Sequence, residues 1–506
     1  MSDLRLWWDQ LCREGPGFGY FPNASKTWLV TKESCHSDAE ITFAGTNVNL
    51  TDEGRPYLGA AIGTNQFITQ FVMEKVEGWS ADVTRLAKIA QSQPHATYSA
   101  FTKGLSSRWI YVSRTIPDIA KLLQPLEDAI RLVLIPALTG RAPPNDTERN
   151  LFALPPQWGG LGLSNPVCHA DQESDASRKI SEPLCNFLLN HNLQYFEVKA
   201  DQLTQKSSVR SFKRDLYSGN SSNLHPQLSA SLQVAVKLAI EKGASSWLTA
   251  IPLDEYGFAL HKSAFQDAIA LRYGWLPLRT PANCACGKSF SVEHALSCPK
   301  GGLPSIRHNE IRDLTARLLT EVCSQVATEP ELQPVPPEGL SLSTANVQEG
   351  ARLDIAMNDF WGRRSERAFV DVRVFNPFAP SNMATSLSAC YKKHENIKKR
   401  AYGQRIREIE HASFTPVILS ATGGLAHEAT FFYKRLASLL AQKWGDEYSI
   451  VMGWLRCSLS FSLLRSAIQC IRGARSTIGH YIAAPPPMDL VRMESNLTIN
   501  SNSNQR

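Results

Sequence analysis

The stretch "ERAFVDVRVF", Glu366–Phe375, decides how the second half of this chain is read. Alternation with a period of two puts Phe369, Asp371 and Arg373 on one side of a strand and Val370, Val372 and Val374 on the other. The valine side is the expected buried face, which leaves Asp371 as an acid on an otherwise apolar element. Just upstream, "ARLDIAM" (Ala351–Met357) alternates in the same way and carries Asp354. On either side lie "RHNEIRDLTARLLTEVC", with Ile311, Leu314, Leu318 and Val322 at helical spacing, the charged helix "CYKKHENIKKRAYGQRIREIE", and a further strand, "FTPVILSA". Helix, strand, strand, helix, strand, helix is the pattern of a small α/β domain.

Two strand acids can converge at the edge of one sheet, and Glu310 on the preceding helix could supply a third. Oxygen ligands of this kind suit Mg²⁺ or Mn²⁺, which needs only one or two carboxylates when substrate phosphates and waters complete its shell. A metal so held activates water for in-line attack on a phosphodiester, and a nearby lysine stabilises the charge that builds up. Arg373 shares the face of Asp371 but stays protonated and cannot act as a base. Lys398 and Tyr402, four apart on the next helix, share a face. That helix also carries Lys392, Lys393, Lys399, Arg400, Arg405 and Arg407, with Tyr391 interleaved, a composition suited to tracking a phosphate backbone. Two plainer readings stand beside these: strand-end aspartates that cap turns, and a solvated helix balanced by Glu395, Glu408 and Glu410.

"CACGKSFSVEHALSC", Cys284–Cys298, gathers Cys284, Cys286, His294 and Cys298. Three thiolates and one imidazole suit tetrahedral zinc in a closed structural site, and Gly287 allows a sharp turn around the ion. The single residue between the first two cysteines is tighter than usual. The alternative is four unrelated residues in a loop.

With 506 residues, 43% hydrophobic and 20% charged, the chain has ample material for several folded units. A net charge of +6 hints only weakly at a polyanionic partner. Neither a secretory h-region nor an uninterrupted membrane span stands out, so an intracellular protein is expected, with its eleven cysteines as buried thiols or ligands. The first sixty residues read as strands and turns: "GYFPNASKTWLVTKE", "EITFAGTNVNL" and "TDEGRPYLGAAIG". Helices follow, from the stripe of Phe67, Phe71, Val72, Val76 and Trp79 to "PDIAKLLQPLEDAIRLVLIPAL"; a Pro/Gly/Asn-rich segment from Thr139 then marks a boundary or a structured connection.

The order of these parts resembles the C-terminal end of the polyprotein of non-LTR retrotransposons that carry a restriction-like endonuclease. A Cys/His knuckle, "RHNEI", "RLDI", "VDVRV" and a lysine-rich helix appear in the family's order. The resemblance implies a PD-(D/E)xK nuclease fold with its lysine displaced to a later helix, nicking DNA to prime reverse transcription. It implies Asp354 and Asp371 as the strand acids that hold magnesium, Glu310 as the helix acid and Lys398 as the displaced lysine. Arg307 and His308 of the "RHN" element, Arg373, Lys392, Lys393, Lys399 and Tyr402 are implied as nucleic-acid contacts. "GYFPNASKTWLV" is similar to the end of a reverse-transcriptase palm, with Lys26 near the incoming nucleotide, and "YLGAAIG" to the segment leading into the thumb.

The expectation is therefore an α+β multidomain protein: a mainly helical thumb and linker, then a small zinc knuckle and an α/β restriction-endonuclease-like domain. The segments expected are a palm remnant (1–63), helical thumb (64–140), helical linker (141–280), zinc knuckle (281–304), nuclease (305–485) and a disordered tail (486–506). No Asp-Asp dipeptide occurs, so no polymerase activity is expected of this chain. Structural zinc and catalytic magnesium or manganese are the expected cofactors, DNA and retrotransposon RNA the partners, and the nucleus the location. The competing expectation is a non-catalytic nucleic-acid-binding remnant or ribonucleoprotein scaffold.

Overall fold

In the first sixty residues turns and helices take most of what the sequence reads as strand. The computed structural model describes residues 1–189, 195–336, 340–362 and 365–473; the tail expected at 486–506 lies outside them. Residues Ser2–Glu14 form a helix, and β1 (Trp28–Val30) pairs in parallel with β2 (Asn49–Thr51). "EITFAGTNVNL" begins inside a helix, His36–Thr42, because Asp38 favours the helix N-terminus and Ala39 is fully buried. The third segment, read as strand and turn, folds as a hairpin, β3 (Gly54–Tyr57) against β4 (Ala60–Gly63). Its two turn residues, Leu58 and Gly59, both have positive φ (47° and 82°), the condition for a two-residue turn that follows strand twist.

The long helix α1 (Asn65–Ala90) is capped by Thr64, whose side chain accepts from the Phe67 amide, and buries Val72, Val76, Trp79, Val83, Ala87 and Ala90 along one stripe. The core that starts there continues through Leu134, Phe152 and Leu163 to Trp247, Phe265 and Phe461. The expected boundary near residue 140 therefore does not interrupt the packing. Arg149 spans it, donating to Glu127 through Nε and Nη2 (2.6 and 2.7 Å) and to the Leu163 carbonyl (2.7 Å), with both side chains buried. Beyond it, α2 (Pro166–Leu189) and α3 (Tyr195–Leu224) pack side by side.

The knuckle contributes α4 (Val292–Ser297), followed by α5 (Leu303–Thr320) and a four-stranded sheet in the order β5 (Ser324–Thr328), β6 (Ile355–Asn358), β7 (Arg367–Phe375), β8 (Ser413–Ser420). β7 runs antiparallel to β6 and parallel to β8, with Asp371 opposite Pro416; a proline fits β8 because that strand is an edge of the sheet. Helices α6 (Leu387–Glu408), α7 (His427–Trp444) and α8 (Tyr448–Arg472) complete the unit. The sheet differs from expectation in one respect: both faces of β7 are covered. Val370 and Val372 pack with Leu314, Leu318, Phe432 and Leu455, while Phe369, also fully buried, packs with Leu332, Leu353 and Ile406. The extra cover comes from the segment between β5 and β6, which the fully buried Arg405 guanidinium pins by donating to the carbonyls of Gln333, Asn346 and Gln348 (2.6–3.1 Å).

The two halves share α8: Val451 and Leu455 belong to the core beneath the sheet, Phe461 and Leu464 to the helical core. A second tie is Glu241, whose Oε1 accepts from the Tyr391 hydroxyl at 2.8 Å while Oε2 is buried without a hydrogen-bond partner. Burial pushes this carboxyl up to about 7, the Tyr391 hydroxyl offsetting only part of it. A carboxyl raised on folding holds a proton that the unfolded chain has lost, so its contribution to stability falls as pH rises from about 4.5 to about 7, by up to about 3 kcal/mol. Urea denaturation across that window should show the decline, and Glu241→Gln should shrink it; an unchanged pH slope in the variant would remove Glu241 as its source.

Candidate functional site

Asp354 lies immediately before β6, and its carboxylate accepts two hydrogen bonds from outside that strand. Oδ2 takes the Val372 amide of β7 at 2.6 Å, and Oδ1 is 2.9 Å from Nε2 of His308 on α5. Burial would raise this carboxyl, but His308, then hydrogen bonding with Asp371 and the Val372 amide, outweigh it and hold the group below the usual range. Asp371, on β7, is 5% exposed and has the Asp354 carboxylate beside it. Lys398 Nζ of α6 stands 2.6 Å from Asp371 Oδ2. The charge of the ammonium and its hydrogen bonding to the carboxylate both favour the ionised form of Asp371. Burial pushes the Asp371 carboxyl up to about 7; Lys398 opposes the shift and the neighbouring Asp354 adds to it. Lys398 is also 5.8 Å from the Tyr402 ring centre, on the helical face the spacing predicts. The fold thus brings Asp354, Asp371, Lys398 and His308 to one place between β6, β7, α5 and α6.

Other expected residues are placed differently. Burial and the neighbouring Asp313 push the Glu310 carboxyl up, and among the described residues Glu310 does not form a group of three ligands with the aspartate pair; His308, two residues earlier on the helix, is the one hydrogen-bonded to Asp354. Arg307, expected to touch nucleic acid, is 3% exposed and directed at Cys470 of α8, so it is a packing residue. Arg405 is likewise withdrawn from the surface by its three carbonyls. Lys399 is exposed but paired with Glu428 (2.6 Å). Lys392 and Lys393 are exposed, Arg373 and Tyr402 half-buried, and Lys26 ends an exposed turn capped by Asn23. The interaction missed by sequence reading is His308 with Asp354: "RHN" marks the residue, but its partner is forty-six positions away.

The cysteine stretch folds as a tight turn followed by one short helix. The Cys284 amide donates to the Lys288 carbonyl and the Gly287 amide to the Cys284 carbonyl, both at 2.8 Å, with Gly287 at φ 89°. The Ser291 hydroxyl caps α4 by accepting from the His294 amide at 3.1 Å. The ligand atoms of Cys284, Cys286, His294 and Cys298 all lie within 4.8 Å of one another. Cys284 and Cys298 Sγ are 3.9 Å apart, against about 3.8 Å for the edge of a tetrahedron with Zn–S bonds of about 2.3 Å. Cys286 Sγ and His294 Nε2 are 3.1 Å apart. The turn accommodates the one-residue gap, and these four residues could hold a metal such as zinc. They are the one group of three or more such ligands among the described residues, so the aspartates do not make a comparable cage by themselves. The knuckle is fastened to β7 by Asn376, which follows that strand and donates to the Glu293 carbonyl (2.8 Å) and the Ser297 hydroxyl (2.7 Å).

No protein-family model matches the chain, and a search of curated proteins returns no match either. Among the described residues no helix is long and apolar enough to cross a membrane.

Purified protein should carry zinc by metal analysis. Chelation or Cys298→Ser should remove it and lower Tm by several degrees, since structural zinc contributes directly to folding free energy. A metal-free preparation whose Tm is indifferent to both added zinc and chelator would exclude the site.

Proposed function

We propose that this chain is a DNA-nicking endonuclease of the restriction-like PD-(D/E)xK type, derived from a non-LTR retrotransposon. The observation that supports the reading best is the buried Asp371 of β7 beside Asp354, which directly precedes β6, with Lys398 reaching Asp371 from a later helix. An acid pair with a lysine delivered from a helix is the arrangement the resemblance implies, and chance gives little reason to gather one buried and two half-buried charges at one place.

Asp354 and Asp371 would hold Mg²⁺ or Mn²⁺, which when bound supplies an activated water and neutralises phosphate charge. The chain's own residues have separate tasks. Lys398 is near enough to share its charge between Asp371 and an incoming phosphodiester oxygen. His308 and the Val372 amide fix the orientation of Asp354, so that its carboxylate need not reorganise when substrate arrives. The exposed Lys392 and Lys393, further along α6, can meet flanking phosphates, and Arg373 extends the cationic edge beyond Asp371. DNA is accordingly the proposed partner, with retrotransposon RNA as a second polyanion and the nucleus as the compartment where such a substrate is met.

One feature of the geometry favours the second reading, a non-catalytic nucleic-acid-binding scaffold. Both Asp354 oxygens are already hydrogen-bonded within the chain, and among the described residues Glu310 does not form a group of three ligands with the acid pair. The two readings part in one assay. Supercoiled plasmid incubated with the protein and Mg²⁺ or Mn²⁺ should be nicked, and Asp371→Asn and Lys398→Ala should each reduce the rate by at least about a hundredfold, the scale of removing one electrostatic participant. Salt-sensitive DNA binding without cleavage would leave the scaffold reading in place.

A further inference from the structure

Away from the aspartate pair, α2 and α3 enclose a cleft of about 310 Å³, at the small end of the range for ligand pockets. A seam between two packed helices is ordinarily closed by apolar side chains. Here His169 and Gln172 of α2 face Tyr217, Asn220 and Asn223 of α3, with Asn150 at the end. Their spacings of three along each helix put each set on one face. Among the described residues the half-buried Gln172 and Tyr217, and Asn150, Asn220 and Asn223 exposed at the rim, make no side-chain hydrogen bond; Tyr217 lies against the His169 ring with centroids 6.4 Å apart, and the neighbouring Glu173 is engaged by Arg114 at 2.8 Å and Lys213 at 2.6 Å. Leu154 and Leu224 are buried beneath. Burial lowers the affinity of His169 for a proton, and its Nδ1 is 2.7 Å from the Asn165 carbonyl; among the described lining residues none is charged near neutral pH, while Glu173, Arg149 and Lys213 lie near enough to act on His169.

An apolar floor, a rim of amides with free donors and acceptors, and two rings without charge match a flat, neutral ligand with apolar faces and hydrogen-bonding edges. The described lining residues offer no cation to a phosphate, which favours a neutral group in the cleft. We propose that this cleft receives an unpaired nucleobase of single-stranded nucleic acid, its edge read by Gln172, Asn220 and Asn223 and its face set against Tyr217. Amide side chains pair with base edges in two-point contacts, and aromatic rings stack on bases of any sequence. The inference rests on nucleic acid as the partner proposed above, but not on the chain's ability to cut it.

The test compares two single strands of 20 nucleotides, one of mixed sequence and one with the same backbone and no bases, by fluorescence anisotropy at one salt concentration. Both carry the same phosphates, so the counterion-release contribution is common to them. The wild-type protein should bind the base-containing strand about tenfold more tightly, the lower part of what one base stack contributes. Gln172→Ala with Asn220→Ala should remove most of that difference and leave binding of the abasic strand unchanged. Equal binding of the two strands by the wild-type protein, or a difference that survives in the variant, would overturn the cleft proposal; so would binding to neither. Plasmid nicking run in parallel separates the two ideas. Nicking with no base dependence sinks the cleft alone, and base-dependent binding without nicking sinks the nuclease alone.

Discussion

A carboxyl group placed in a strand that is covered on both faces must either hold a proton or meet a counter-charge, and Asp371 imposes this condition on everything around β7. Ionised and alone it would carry a desolvation cost of several kcal/mol. Lys398 reaches it from α6 as the counter-charge, on the same helix that brings Tyr402 and Ile406 down onto Phe369 and its neighbours. Asp354 faces the same condition and meets it differently, with a backbone amide of β7 and an imidazole of α5. Two helices and two strands are thus referenced to one pair of acids, so the electrostatic centre and the mechanical centre of this unit coincide.

The knuckle is built on the same strand from its far end. Asn376, one residue beyond β7, binds both the carbonyl and the hydroxyl of α4, so the four candidate metal ligands sit in a fixed relation to Asp371. On the other side α4 places Ala295 and Leu296 in the helical core. A metal there would act as a clip between the helical part of the chain and the sheet, reinforcing what α8 and the Glu241–Tyr391 contact already join. The continuity of the core from α1 to α8 explains why the proline- and glycine-rich segment after residue 139 is an internal connection: the buried Arg149–Glu127 pair needs both sides of it in place.

Much of this was legible in sequence because it depends on local periodicity. Alternation in "ERAFVDVRVF" identifies β7, the helical spacing of Ile311, Leu314 and Leu318 identifies α5, and the four-residue interval of Lys398 and Tyr402 puts them on one face. The cysteine and histidine spacing is enough to suggest a ligand set, although only the turn at Gly287 reveals how cysteines one residue apart can both contribute. In the first sixty residues the alternation does not decide between strand and helix, since runs so short are settled by burial of single residues such as Ala39.

What the sequence by itself determined, then, is which residue types lie on which face of each element, because backbone geometry alone imposes those periods. What only the tertiary structure decided is which faces meet. His308 and not Glu310 finds Asp354; Arg307 and Arg405 turn inward to a helix and to carbonyls; and both sides of β7 are covered, because the segment between β5 and β6 folds back over it. These outcomes depend on pairings between residues tens to hundreds of positions apart. They follow from the need to pair every buried charge and close every apolar surface at once, a condition no local pattern contains.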